Sequence, residues 1–149
     1  MWSDKKDGIS SREDISRFLE TYIAPIRLSG VLESGYPIIC SLWFEYCDNA
    51  IWCATQETSK IARVFLNNSK CAFEIAPNNP PYYGVRGQGN ISLQRQGSEE
   101  LLRRLVTRYL GNTDSALAKM LLSKTDNGVS IKIEPTRISS WDYRKRMKT

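Results

Sequence analysis

The sequence contains no histidine. This removes the commonest metal ligand and the commonest general base near neutral pH, and with them any Ser-His-Asp triad. It also lacks a C-x-x-C pair. Cys40, Cys47, Cys53 and Cys71 are separated by 7, 6 and 18 residues. All four fall in apolar, strand-like segments and read as buried, reduced thiols rather than as disulfides or a metal site. No apolar run approaches the ~20 residues of a membrane span. The opening residues, MWSDKKDGISSRED, are polar and have no apolar core of a secretion signal, so a soluble, cytoplasmic protein is expected. Repeats, low-complexity tracts and linkers are missing as well. The 149 residues are read as one domain, 1–149, large enough for a real core.

What is present begins with charge. The chain carries 21 Lys and Arg against 16 Asp and Glu, a net +5. Residues 142–149 hold four basic residues and one acidic one, so this tail supplies +3 of the total. There is no zinc pattern, aromatic RNA-binding motif or basic recognition helix beside it. The tail therefore reads as solvated, or as an anion contact within the protein, and nucleic acid is not the expected partner.

The hydrophobic pattern gives a sequence of elements. Ser10 and Glu13 have capping-box spacing, and Ile15, Phe18, Leu19 and Tyr22 follow at helical intervals, which predicts a helix over about 11–22. A strand is expected over 26–33, then a turn at Ser34-Gly35-Tyr36-Pro37. A second strand runs over 38–47 with Ile38, Cys40, Leu42, Phe44 and Tyr46 on one face. Asp48-Asn49 reads as a hairpin turn into a third strand over 50–55. A helix starts after Ser59 and stops near Asn67-Asn68. Strands over 70–76 and 83–94 flank a proline loop, Pro77 to Pro81, that cannot continue a central strand. Ser98-Glu99-Glu100 is expected to cap an amphipathic helix that Gly111 ends. A short helix over 114–123 and a strand pair over 128–141, broken at Pro135, complete the chain. This order predicts an α+β fold, a small antiparallel closed or split barrel of five or six strands with flanking helices.

One stretch invites chemistry. Thr55, Thr58, Ser59 and Lys60 gather where a strand meets a helix start, and Arg63 follows one turn later. Free backbone N–H groups, hydroxyls and a positive charge suit a phosphate. The alternative is that Thr58 or Ser59 caps the helix and Lys60 is solvated. Trp43, Trp52 and Trp141 would suit a planar cofactor or ordinary packing. Arg86, on an outward strand position, reads as a surface charge.

The run Ala54-Thr55-Gln-Glu-Thr-Ser59-Lys60-Ile-Ala-Arg-Val-Phe-Leu-Asn67-Asn68 resembles the Y-T-x-x-x-S-R-K-A…N-N-P-R segment of the pyridoxamine 5′-phosphate oxidase family of FMN-binding split barrels. Pro135-Thr-Arg137-Ile138-Ser-Ser-Trp141 is similar to that family's P-x-R-I-x-x-W. Gly84 to Gly89 sits where the family has a glycine-bearing strand. The resemblance implies a six-stranded antiparallel split barrel and a homodimer with FMN at the subunit interface. It implies a phosphate held by Thr55, Ser59 and Lys60 beside Ala54, with Arg63 a further candidate. Ser41, Leu42 and Trp43 would lie along the isoalloxazine, and Trp141 would reach the flavin of the partner subunit. The sequence departs from the pattern at Ile61, where the family has a second basic residue, and at Cys40, where an arginine often opens the flavin-side strand. The oxidases proper bind substrate with an arginine–leucine–histidine segment, and this chain has no histidine. The implied function is thus a flavin-dependent oxidoreductase acting on a small, unidentified substrate, without carrying over vitamin B6 activity. Catalytic residues stay unassigned. A deazaflavin (F420) reductase on the same fold, and a non-catalytic flavin carrier or sensor, are the alternatives.

Overall fold

A computed structural model describes residues 11–148. Helix α1 (Arg12–Thr21) starts at Ser11, whose hydroxyl accepts from the Asp14 N–H. The cap is one residue later than the spacing suggested, and Ser10 lies outside the described residues. Strands β1 (Ile26–Val31) and β2 (Pro37–Leu42) form the first hairpin, turned through Gly35 at φ +88°. Strands β3 (Phe44–Cys47) and β4 (Ala50–Gln56) form the second, with Asp48 and Asn49 both in the left-handed region. Two consecutive positive φ values are what a type I′ hairpin needs, and Asp and Asn tolerate them best after glycine.

Helix α2 (Lys60–Asn67), β5 (Lys70–Ile75) and β6 (Tyr83–Gln94) follow, then α3 (Ser98–Leu110), α4 (Ala116–Leu122) and β7 (Gly128–Asp142). Ser98 does not cap α3. Gly97 occupies that position at φ +81°, and the Ser98 hydroxyl turns inward to donate to the Gly128 carbonyl at 3.1 Å. Gly111 ends the helix in the left-handed conformation.

All seven strands form one antiparallel sheet in the order β2-β1-β5-β6-β7-β4-β3. The expected second strand is here two strands, and they are the two edges of that sheet. Leu42 pairs with Ile26 in β1, whereas Phe44 pairs with Cys53 in β4. Only Trp43 links them, so by chain reach the edges lie within about 7 Å of each other. The sheet must therefore curl into a barrel, split where the chain changes partner.

The barrel interior is apolar: Ile26, Leu28, Phe44, Ile51, Ile75, Val85, Ile131, Ile133 and Ile138 are all essentially inaccessible. Helix α1 adds Ile15 and Leu19, and α2 adds Ile61 and Phe65 to the same core. Gly30 gives α2 room, since a Cβ there would lie 3.0 Å from both Val64 and Phe65. Cys53 and Cys71 are buried and Cys40 is half-buried, but Cys47 is exposed on the hairpin, contrary to the reading of four buried thiols. No described helix is long and apolar enough to cross a membrane.

Strand β7 runs through Pro135 without stopping. Gly89 pairs with Pro135 and Gln88 with Arg137, which leaves Thr136 as an extra residue, a β-bulge. A proline without an N–H is tolerated at such a break in the ladder. The bulge also shifts the phase of the strand. Before it, odd positions (Val129, Ile131, Ile133) are buried; after it, Ile138 is. Arg137, Ser139 and Trp141 thereby turn outward.

Candidate functional site

The outward face of β2, β1, β5, β6 and the second half of β7 carries the candidate site. Its register sets out two rows of side chains. One runs Ser41–Arg27–Glu74–Arg86–Ser139 across five strands. The next runs Ile39–Ser29–Ala72–Gln88–Arg137. Small residues in the middle and long ones around them leave a depression of about 510 Å³. Ser29, Ala72 and Gln88 continue into a second hollow that also takes in Val31. Val31 in turn joins a third, which reaches Lys60 and Arg63. The three hollows thus adjoin along one face, a broken groove with positive charge at both ends.

At the α2 end, Lys60, Arg63, Val64 and Asn67 share a helix face turned toward the loop after β1, with Thr58 beside them. Among the described residues neither Lys60 nor Arg63 is engaged in an ion pair. Ser59 is the N-cap of α2, and its hydroxyl oxygen accepts from the Ala62 N–H at 3.2 Å. The capping role is therefore filled within the chain. Ile61, at the position of the missing basic residue, is only 5% exposed and belongs to the core. Thr55 and Ala54 lie elsewhere. They line a separate cavity of about 190 Å³ between β4, β7 and helices α3 and α4.

At the other end, one Arg27 nitrogen donates to the Ser41 hydroxyl and a second to the Asn78 side-chain carbonyl at 3.2 Å. The Arg86 guanidinium lies 4.1 Å over the Trp141 ring and 3.6 Å from a Glu74 oxygen. Trp141 has room to lie there because Gly84 faces it across the ladder; a Cβ on Gly84 would come within 2.8 Å of the ring. Ser41 and Trp141 thus share the outward face, while Leu42 turns inward and packs against the core. Trp43 leaves the sheet and stacks on Tyr109 of α3, with centroids 4.9 Å apart and planes 6° apart.

In the sequence Arg27 stood in no motif, Arg86 read as a surface charge, and Arg137 belonged to the P-x-R-I-x-x-W match with no role assigned to it. A signal was there for Arg137. The buried positions change from odd to even across Pro135, which is the mark of a bulge. The basic tail is partly spent within the chain: Arg144 is bound to Asp142 at 2.6 Å and stacks on Tyr83, and Arg146 stacks on Tyr143. Those hydrogen bonds from Arg144 hold the Asp142 carboxyl below the usual carboxylate range.

No family model matches the chain, and no curated protein matches it by sequence. Solved structures do match in fold. The conserved hypothetical protein Rv2991 of Mycobacterium tuberculosis superposes with a TM-score of 0.80 at 20% identity, over 99% of this chain and 94% of that one. An F420 reductase superposes at 0.70 and 19% identity, over 83% of this chain and 94% of that one. A candidate pyridoxamine 5′-phosphate oxidase of Listeria innocua superposes at 0.60 and 17% identity, over 78% and 86%. The chain therefore has the split-barrel fold of pyridoxamine 5′-phosphate oxidase-like proteins.

Proposed function

We propose that this chain is a flavin-type oxidoreductase of the pyridoxamine 5′-phosphate oxidase-like kind, with FMN held along the outward groove. The observation that carries this is the row of adjoining hollows along that face. It leads from the Lys60–Arg63 corner, past Val31 and Ser29, to Arg27 and Arg86, which touch Ser41 and Trp141. A phosphate end and a ring end at opposite ends of one groove suit a mononucleotide with a long planar head.

Lys60 and Arg63 would hold the phosphate as unpaired cations, with the Thr58 hydroxyl beside them. Ser59 would act mainly by fixing the start of α2, because its oxygen already caps the helix. Thr55 and Ala54 would support β4 from behind rather than touch the cofactor. The flavin supplies the electron chemistry when bound. The chain's part is to orient the ring against β2, to place Trp141 against it and to keep water from it. The exposed side chains of Ile39 (71%) and Val31 (36%) on this face favour a homodimer that closes over the groove.

The F420 reading has its own support, since the F420 reductase superposes better than the oxidase. Its phosphate would use the same corner. Side-by-side fluorescence titration with FMN and F420 separates the two: tighter binding of FMN supports the main reading, and tighter binding of F420 replaces it. The burial of Ile61 leaves two side-chain cations at the corner, which favours a weakly held cofactor and keeps the carrier role in view. Reduction of the bound flavin by NAD(P)H, followed by reoxidation with a substrate, would decide against the carrier.

A further inference from the structure

The far end of the groove has more positive charge than a flavin ring needs. Arg27, Arg86 and Arg137 surround a hollow whose centre is small and polar: Ser29, Ala72 and Ser139. Glu74 is the one carboxylate among its lining residues, so the lining carries three positive charges against one negative. Glu74 lies between Arg27 and Arg86 in the cross-strand row and, among the described residues, is paired with Arg86 alone, at 3.6 Å. The other anchors of these guanidiniums are neutral. Ser41 and Asn78 hold Arg27, and the Trp141 ring supports Arg86. Neutral anchors fix the position of a guanidinium without cancelling its charge. Like charges on one sheet face repel, and planar guanidiniums match carboxylate and phosphate oxygens.

We propose that this end of the groove is an anion subsite that receives the carboxylate or phosphate of a small substrate. Arg27 and Arg137 approach the anion from opposite sides of the hollow, and Arg86 donates from above Trp141. The net +2 of the lining is suited to a phosphate dianion and also to a carboxylate. That the anion belongs to a substrate rests on the cofactor reading above, with the cofactor phosphate at the opposite end. That the subsite binds an anion does not.

The test is a titration of the whole protein with inorganic phosphate and, separately, with succinate, followed by the fluorescence of the tryptophans. Saturable binding of either probe is expected, weakened about tenfold or more in Arg137→Ala and in Arg27→Ala, and unchanged in Arg103→Ala, a surface arginine of α3 paired with Glu99 outside the groove. The probe that binds tighter identifies the anion class. Absence of saturable binding overturns the proposal, as does a loss in Lys60→Ala with none in the Arg137 and Arg27 variants. The titration is then repeated on protein saturated with FMN. Retained anion binding supports a substrate subsite. Exclusion by FMN overturns that assignment, because the cofactor phosphate then occupies the arginines. Failure of wild-type protein to bind FMN would count against the cofactor reading alone, since the cofactor-free titration stands without it.

Discussion

The Trp43 ring lies flat on Tyr109, 4.9 Å between centroids, at the point where the chain passes from one edge of the sheet to the other. The Tyr109 hydroxyl accepts from the Phe44 N–H at 3.1 Å and donates to the Ala24 carbonyl at 2.7 Å. Burial raises the pKa of this hydroxyl. Helix α3 thus supplies the hydrogen bonds that the sheet loses where the strand changes partner. Tyr109→Phe leaves a backbone donor and a backbone acceptor unpaired and is expected to cost about 1–3 kcal/mol. Urea unfolding should show a lower midpoint with an unchanged slope; an unchanged midpoint would deny the hydroxyl this role.

The thiols give a second prediction. Burial raises Cys71 to about 12 and pushes Cys53 up as well, so neither forms the thiolate that a disulfide reagent attacks near neutral pH. Cys47 is exposed and Cys40 half-buried. In native protein, Ellman's reagent should label Cys47 first, Cys40 slowly, and Cys53 and Cys71 only on unfolding. Rapid labelling of all four would contradict the packing described.

Gly87 marks a close approach. A Cβ there would lie 2.5 Å from the Arg137 carbonyl oxygen and 2.6 Å from the Phe73 ring. The carbonyl belongs to the ladder beside the bulge and cannot yield without shifting β7. Gly87→Ala should cost about 1–3 kcal/mol through overpacking. It should also disturb the Trp141 environment, read as a shift in tryptophan emission.

Asp142 supplies a pH test. Its pKa is lowered chiefly by hydrogen bonds from Arg144. A carboxylate with a depressed folded pKa stabilises the fold above its unfolded value, about 3.9, and loses that contribution as pH falls through the folded pKa. Arg144→Ala should move the Asp142 titration up toward the ordinary range in a carboxyl-detected NMR experiment. No movement would mean that the tail is not held as described.

Most elements could be read from the sequence because their signals are local. The alternation in 83–94 fixed β6 at its observed bounds, and the Ile61, Val64, Phe65 spacing fixed α2. The split at Trp43 could not be read that way. Ile38 to Tyr46 keeps one alternation throughout, and only the pairing partner changes, which depends on residues far along the chain. Pro135 suggested a break, yet the sheet absorbed it by leaving Thr136 unpaired. The candidate site shows the same division. Lys60 and Arg63 stood out as neighbours of a helix start. Arg27, Arg86 and Arg137 are brought together only by the register of four strands.

The central claim is that a flavin phosphate sits against Lys60, and an FMN titration of wild type beside Lys60→Ala and Ser59→Ala tests it most directly. Wild type should bind FMN, and Lys60→Ala should weaken binding by about 1.5–3 kcal/mol, the range of a charge-assisted hydrogen bond. Ser59→Ala should instead lower fold stability by about 1 kcal/mol through loss of the cap, with a smaller effect on FMN. No FMN binding by wild type, or equal affinity in Lys60→Ala, would contradict the account.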